Sequence, residues 1–414
     1  MVRLLFLAWL LSAVGFCYAQ NSEQSVSLID ASTWSVDGSP FRIEGPASFY
    51  EDKIVAPEDC ARQPSSVTYF PRLWGEKENG TPIEVGTYLI KVLLPPNTTD
   101  SLALAMPTMY SSFSLYVNGK LIAQNGNVGL TREKTKPQWL PLTASFKPAG
   151  DTLSLVLQIA NFYHYKAGIK NPIFLSSAHQ IKYKSKIITL FNTIEFSVLM
   201  ITAVFFFFIF LIVQKKEAAL YFALLCATWS VRSVFSNNYL FTALYPDFSW
   251  LATVRIEYLT LYFTMIWAVL FAGNLFQNET NLIIKYTFIL ANLVFIIFTL
   301  STDTRLFTKG LNIYLITSGL LLAYVGYIVI RAWVNERTGS GILTLSIIFG
   351  LILFSYDIFV YQGFSTYNPV IFGIGYIILF MMLGWALSMQ MNLVKSRRPP
   401  TNSLTYDDLY KNEK

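Results

Sequence analysis

Short alternations of apolar and polar residues run through the first half of the chain, as they do in half-buried β-strands. In the segment FSLYVNGKLIA they flank Asn118-Gly119, a pair that tolerates the positive φ angles of a two-residue hairpin turn. Many such short strands, without a helical pattern between them, predict an all-β sandwich of jelly-roll type from residue 20 to residue 186. One predicted strand has four apolar side chains on a single face: Leu153, Leu155, Leu157 and Ile159.

Long apolar runs replace these alternations from about residue 188 onward. A helix needs about 20 apolar residues to cross the hydrocarbon core of a bilayer, and most of the runs approach that length. The second run is short and contains polar residues, so it depends most on its neighbours. The pattern predicts that an all-α seven-helix transmembrane bundle follows the sandwich, with spans near residues 188–213, 218–235, 250–273, 282–300, 311–331, 341–361 and 368–393.

Lys and Arg residues beside the apolar runs indicate the orientation of the bundle, because such residues concentrate on the cytoplasmic side of membrane proteins. If the first half is exported, the outer connections contain only Arg305 and Lys309. We therefore expect an outside amino terminus, seven spans and an inside carboxyl terminus. The inner side then contains the other flanking basic residues: Lys215, Lys216, Lys285, Arg331, Arg337, Lys395, Arg397 and Arg398.

The composition agrees with membrane insertion, since 53% of the 414 residues are hydrophobic and 14% are charged. The net charge of +6 does not indicate nucleic-acid binding, because the basic residues are scattered and lie mainly beside apolar segments. The sequence has two histidines, no cluster with zinc-ligand spacing, no phosphate-binding loop and no nucleophile elbow. We expect no enzyme activity, no metal and no cofactor.

The first 19 residues have the features of a signal peptide, namely one arginine, an apolar run and a Cys-Tyr-Ala ending that predicts cleavage after Ala19. Cys17 also suggests lipoprotein processing, but Phe16 is a poor neighbour for that reaction. After cleavage Cys60 and Cys226 remain, one in each half of the chain. A disulfide scaffold is therefore excluded, and the sandwich must be stable by packing alone.

Four parts are expected: a signal peptide (1–19), an exported ligand-binding β-sandwich (20–186), a seven-transmembrane domain (187–393) and a short cytoplasmic tail (394–414). The tail is too short for a catalytic module, since chains under about 40 residues seldom fold without a metal or disulfides. Two interpretations of it stay open. It is either a solvated tail with basic membrane anchors or a docking peptide around residues 406–410.

Several stretches of the chain resemble one family. In the first half they are GPASFYEDKIVAP after Trp34, PRLW, GTYLIKVLLP, SFSLYVNGKLIAQNGNVG and LQIANFYHYKAGIKNPIFL. In the second half they are ALYFALLCATWSVRSVFSNNYLF, RIEYLTLYF and SYDIFVYQGF, followed by a glycine-rich last span. In order and spacing these stretches are similar to the bacterial seven-transmembrane receptors with diverse intracellular signalling modules, in the version that carries a galactose-binding-like jelly roll outside the membrane.

The resemblance implies a sensory receptor in the bacterial inner membrane, with its sandwich in the periplasm. The jelly roll is then expected to bind a small molecule, such as a carbohydrate or a cell-wall fragment. Most members of the family end in a kinase, cyclase, phosphatase or response module, so the short tail predicts output through a separate cytoplasmic signalling protein. Two other functions stay open: a substrate-capturing subunit of a transporter, and a membrane-anchored binding or adhesion protein without signalling.

The expected partners are thus a small-molecule ligand, the lipid bilayer, a cytoplasmic signalling protein and a second copy of the chain in a homodimer. Sugar recognition requires aromatic faces for stacking and polar side chains that form hydrogen bonds at the rim. Trp34 and Asn161 also fit a structural alternative, as a core aromatic residue and as a residue that ties down a strand end. The candidate ligand-binding residues are Trp74, Arg132, Trp139, Asn161, Tyr163, His164 and Lys166.

Ionisable residues inside apolar runs are costly unless they are paired, so they suggest a functional cluster. Because Arg255 and Glu257 lie about 200° apart around a helix, they face different partners. We expect Glu257 to reach Arg232, and Arg255 to reach Asp357 or Glu195. The cluster would hold the bundle in one of two arrangements; the alternative is that these residues snorkel into lipid headgroups. Its members are Glu195, Arg232, Arg255, Glu257 and Asp357.

Overall fold

A computed structural model describes residues 28–77, 80–140, 142–214, 217–362, 365 and 368–391. The predicted signal peptide and the predicted cytoplasmic tail lie outside the described residues. Thirteen strands occupy the described first half. They are β1 (Leu28–Asp30), β2 (Phe41–Ile43), β3 (Gly45–Glu51), β4 (Ser66–Phe70), β5 (Leu73–Trp74), β6 (Val85–Leu93), β7 (Leu102–Met106), β8 (Ser112–Val117), β9 (Lys120–Asn125), β10 (Leu142–Phe146), β11 (Thr152–Ala160), β12 (Ala167–Gly168) and β13 (Ile173–Ser177).

The strands form two main sheets. The larger has the order β4-β3-β6-β11-β8-β9, with β1 added in parallel to β6, and the smaller has the order β10-β7-β13-β2. The predicted hairpin joins β8 to β9, where Asn118 and Gly119 have φ angles of 47° and 81°. These positive angles are the ones that a two-residue hairpin turn with right-handed strand twist requires.

A single apolar core fills the space between the two sheets, so the first half is a sandwich. Ile90 from the larger sheet and Leu104 and Leu175 from the smaller sheet belong to one buried cluster. All four apolar residues of the predicted β11 face are buried in it. Cys60 and Cys226 are free, so packing rather than a disulfide holds the described part of the sandwich together.

The described second half is helical. Seven of its helices are long and apolar enough to cross a membrane, which confirms the predicted seven-helix bundle. Their lipid-facing surface is apolar, as the exposed Ile201, Phe205 and Phe208 illustrate. The described helices are α1 (Ala178–Ile209), α2 (Glu217–Phe235), the short α3 (Leu240–Leu244), α4 (Trp250–Leu275), α5 (Leu282–Ser301), α6 (Thr304–Val334), α7 (Ser340–Gln362) and α8 (Pro369–Gln390).

The sandwich continues directly into the first membrane helix. Ser177 is the last residue of β13 and also the N-cap of α1, where its side chain accepts a hydrogen bond from the backbone N–H of Gln180. The basic segment at residues 182–186 lies inside α1 and is helical. No loop therefore separates the last strand from the first membrane helix.

Candidate functional site

Trp74 lies in the core of the sandwich, where β5 pairs with β12 and Trp74 is opposite Ala167. Its indole Nε1 donates a hydrogen bond of 2.7 Å to the hydroxyl of Tyr88, and its ring lies 5.6 Å from the ring of Phe49. Because Tyr88 is fully buried, this bond satisfies a hydroxyl that water cannot reach. The structure therefore gives Trp74 a packing role in the sandwich.

Asn161 holds the loop that carries three other candidates. Its side-chain oxygen accepts hydrogen bonds from the backbone N–H groups of Tyr163 and His164, and its amide nitrogen donates to the carbonyl oxygens of His164 and Lys166. These four bonds fix the loop after β11. They correspond to the structural alternative considered for this residue, the tie at a strand end.

His164 is buried in that loop and is neutral. Its ring stacks on Tyr110 at a centroid distance of 4.6 Å, and its Nδ1 accepts the backbone N–H of Lys166 at 3.0 Å. Burial lowers the pKa of His164 to about 3, and this outweighs the hydrogen bond to the backbone of Lys166, which raises it. Nδ1 also lies 3.2 Å from the carbonyl oxygen of Lys166, and a protonated Nδ1 donates to that oxygen, which is why this backbone contact raises the pKa.

Two ion pairs attach the sandwich to the start of α6. Arg132 contacts Asp303 at 2.6 Å, and its guanidinium group lies 4.9 Å from the ring centre of Tyr163. Arg305 contacts Glu84 at 2.6 Å. Two of the predicted ligand residues, Arg132 and Tyr163, thus lie where the sandwich meets the helices.

Trp139 belongs to the same interface. Its ring packs 4.6 Å from Tyr239 and 5.7 Å from Trp250, and its carbonyl oxygen accepts a hydrogen bond from the Thr242 hydroxyl at 2.7 Å. Next to it, Gln138 donates to the carbonyl oxygen of Pro246 at 2.9 Å. The short helix α3 and the turn after it therefore hold this loop of the sandwich.

Lys170 reaches furthest from the sandwich toward the helices. Its ammonium group donates to the carbonyl oxygen of Val360 in α7 and interacts electrostatically with Asp357. Burial lowers the pKa of Lys170 to about 8, partly opposed by the carboxylate of Asp357. Burial, followed by the charge of Lys170, lowers the pKa of Lys166 to about 7.

The predicted intramembrane charges form hydrogen bonds between helices. Arg232 donates to the backbone carbonyl oxygen of Glu257 at 2.7 Å, and the carboxylate of Glu257 accepts from the hydroxyl of Tyr239 at 3.2 Å. Glu195 accepts from the indole N–H of Trp229 at 3.3 Å. The expected approach of Arg232 to Glu257 is found, although the hydrogen bond goes to the backbone rather than to the carboxylate.

The expected pairing of Arg255 is not found. Among the described residues Arg255 forms no ion pair with Asp357 or Glu195 within 4 Å, and its buried Nε has no hydrogen-bond acceptor. Asp357 interacts instead with Arg232 and with Lys170, a residue of the sandwich. The spacing of two residues along α4 does place Arg255 on a different side from Glu257, but the rotation of α4 does not turn that side to Asp357 or Glu195.

A cavity of about 510 Å³ joins these two groups of residues. Loops of the sandwich cover it on one side, and α1, α2, α4, α6, α7 and the turn around α3 line it on the other. The sequence did not point to Tyr110, Lys170 or Tyr239, because residues far apart in the chain meet here only through the docking of the two halves. The cavity contains Trp139 and His164 of the predicted ligand set and Arg232, Glu257 and Asp357 of the predicted charge cluster.

No group of three or more His, Cys, Asp or Glu residues within the described ranges is arranged to hold a metal ion. The side chains that line the cavity offer hydrogen bonds, aromatic faces and charges. These groups suit the binding of a small molecule.

Residues 188–390 match the family described as 7TM diverse intracellular signalling. The membrane half of the chain therefore belongs to this family, as its sequence stretches predicted. The match and the seven apolar helices support a multi-pass membrane sensory receptor.

Among solved structures, a β-glucuronidase of Faecalibacterium prausnitzii is 15% identical, over 33% of this chain and 31% of its own, with a TM-score of 0.25. A β-glucuronidase of an uncultured Clostridium species is 16% identical over 34% of this chain and 30% of its own, with a TM-score of 0.27. A putative β-galactosidase of Bacteroides fragilis is 13% identical over 33% and 23%, with a TM-score of 0.26. The chain covers less than a third of each. No curated protein matches it.

Proposed function

We propose that the protein is a sensory receptor whose exported sandwich binds a small molecule, a carbohydrate or cell-wall fragment, and whose seven helices report its occupancy to a separate cytoplasmic protein. The observation that carries this proposal is the firm docking of the sandwich on the outer end of the bundle. The sandwich lies in the periplasm, and the membrane is the inner membrane of a bacterium, in agreement with the distribution of Lys and Arg.

Three attachments make the helices respond to a displacement of the sandwich. The strand β13 runs into α1 without a loop, since Ser177 belongs to both. Glu84 and Arg132 are paired with Arg305 and Asp303 at the start of α6. Lys170 is bonded to the backbone of α7 at Val360. A small rotation of the sandwich would therefore act on three membrane helices at once.

The two alternative functions need no such attachment. An adhesion protein needs only an anchor, and a transporter subunit needs a sandwich that releases its substrate to the helices. Interfaces between domains that move independently are small and polar, whereas here aromatic residues, ion pairs and hydrogen bonds act together. This favours the receptor.

A label at the inner end of the bundle tests the coupling. Gln277 is exposed beyond the inner end of α4, while the native Cys60 and Cys226 are buried, so Gln277→Cys accepts an environment-sensitive fluorophore selectively. In the full chain in lipid nanodiscs, Gln138→Ala with Arg305→Ala breaks two contacts of the interface. We expect the emission of the label to shift, because loosening the outer end changes the packing of the inner end.

The matched control is Arg42→Ala, which removes an exposed ion pair with Glu44 inside the sandwich and should leave the emission unchanged. If the double variant also leaves the emission unchanged, the sandwich is only anchored and the receptor proposal is wrong.

A further inference from the structure

The wall of the interface cavity has two cations and two carboxylates that compensate each other. Arg232 interacts with Glu257, and Lys170 interacts with Asp357. A third cation, Lys184, also lines the cavity, but it is exposed, so solvent and salt screen its charge, whereas the other four charges are buried or half-buried. A ligand with a net charge would enter a site whose buried charges are already balanced, and it would lose its hydration without gaining a counterion. The charges therefore favour an uncharged ligand.

Two buried polar side chains that line the cavity have groups without a hydrogen-bond partner in the described part of the chain. Asn192 of α1 is 2% exposed, and its carboxamide is unpaired. His164 of the sandwich is 3% exposed; its Nδ1 faces the backbone of Lys166, and its Nε2 has no hydrogen-bond partner among the described residues. Both groups face the cavity, so a ligand that pairs with them gains hydrogen bonds that the described chain does not supply.

The chemistry of these two side chains indicates the kind of group that satisfies them. A carboxamide both donates and accepts, and the Nε2 of a neutral imidazole donates in one tautomer and accepts in the other. A hydroxyl group also donates and accepts, so one hydroxyl pairs with either side chain. Aromatic faces of Tyr110, Trp139 and Tyr258 line the same cavity and suit the apolar face of a ring.

We propose that this cavity is a ligand site shared by the sandwich and the helices, and that it takes an uncharged polyhydroxylated molecule of about one or two sugar rings. The inference rests on the proposed receptor function. The volume of about 510 Å³ lies within the range of small-molecule sites, about 300–1,000 Å³. Such a ligand touches both regions at once, so its binding changes how they are docked.

The test is calorimetric titration of the full chain in nanodiscs with glucose, N-acetylglucosamine and cellobiose, compared with glucuronate and glucosamine. We expect one or more of the three neutral sugars to bind and the two charged sugars to bind at least about tenfold more weakly. Asn192→Leu keeps the branched shape of the side chain and removes the amide, and it should weaken the binding of the neutral sugar about tenfold. His164→Phe should do the same from the sandwich side.

Thr193→Val is the matched control, because Thr193 is exposed on the same helix and its hydroxyl bonds to the carbonyl of Thr189. It should bind the neutral sugar as the unaltered chain does. Binding of the charged sugars alone, or of none of the five, overturns the inference. So does neutral-sugar binding that neither Asn192→Leu nor His164→Phe weakens. The receptor function is tested separately in each case. The emission of the label on Gln277→Cys responds to loosening of the interface, and that measurement requires no ligand.

Discussion

Trp74 and Trp139 are both buried tryptophans of the sandwich, yet their surroundings differ. Trp74 packs in the core, where its Nε1 bonds to the hydroxyl of Tyr88. Trp139 packs against the helices, and its buried Nε1 has no acceptor among the described residues. The core of the sandwich thus satisfies its tryptophan N–H, and the interface with the bundle does not.

Other unsatisfied groups lie in or beside this interface. They include Nε1 of Trp250, which contacts Trp139, and the amide nitrogen of Asn238, which lines the cavity. Buried polar groups are nearly always paired in a packed interior, so a concentration of unpaired ones marks a region with more than one acceptable arrangement. We therefore expect the core of the sandwich to stay fixed and adjustment to occur where the sandwich meets the helices.

The largest expected effect is on the stability of the core of the sandwich. Trp74→Ala removes a buried ring and its hydrogen bond to the Tyr88 hydroxyl, which should lower the free energy of unfolding of the sandwich by about 3–5 kcal/mol. Hydrogen exchange of the full chain in nanodiscs, followed by mass spectrometry, should show faster exchange in β6 and β11. Trp139→Ala should leave those strands protected and speed exchange around α3 instead.

Tyr69→Ala serves as the control, because that aromatic side chain of the sandwich is 61% exposed and should change the free energy of unfolding by less than about 0.5 kcal/mol. Equal loss of protection in β6 for Trp74→Ala and Trp139→Ala would remove the distinction between core and interface.

The second expected effect concerns the pH dependence of the free energy of unfolding, which tests the buried histidine at the interface. The pKa of His164 is about 3 in the folded chain, below its ordinary value of 6.5, so the unfolded chain binds a proton that the folded one does not. Stability should therefore fall as the pH drops below 6.5, by about 1.4 kcal/mol per unit until the pH approaches 3. His164→Gln should flatten this part of the dependence in urea unfolding of the full chain.

The other histidine of the chain, His179, is exposed at the start of α1 and provides the control. His179→Gln should keep the acid dependence of the unaltered chain. An acid dependence that survives in His164→Gln would mean that another group is responsible.

The smallest effect concerns the ion pair between Arg305 and Glu84, whose side chains are about one-third exposed. Glu84→Gln should weaken the docking of the sandwich by about 0.2–1 kcal/mol, because solvent and salt screen exposed pairs. Protease accessibility at the start of α6 should rise slightly at low ionic strength and converge with that of the unaltered chain at about 1 M salt. A larger loss of docking free energy that persists at high salt would mean that this ion pair contributes most of the stability of the interface.

Local patterns made the two halves predictable. Asn118-Gly119 specifies its hairpin through backbone conformations that few residue pairs tolerate, and the alternation along β11 specifies a buried face. The length of the apolar runs likewise predicts seven spans, because bilayer thickness sets that length.

The interface was not predictable, because it depends on contacts between distant parts of the chain. Arg132 and Asp303 are 171 residues apart, and Lys170 and Val360 are 190 apart. Spacing alone indicated that Arg255 and Glu257 point in different directions, but the rotation of each helix decides which partner is reached. Trp74 and Trp139 also look equivalent in the sequence, since no local pattern tells a core tryptophan from one that contacts the bundle.

The shared position of Ser177, at the end of β13 and the cap of α1, sets the phase of the first membrane helix relative to the sandwich. Each residue advances an α-helix by about 100°, so one residue added after this cap would swing every lower side chain of α1 by more than a quarter turn. Four added residues would nearly restore the original azimuth, about one turn further down. The junction therefore passes a rotation of the sandwich to the correct face of α1 only while the angular register of the helix is kept.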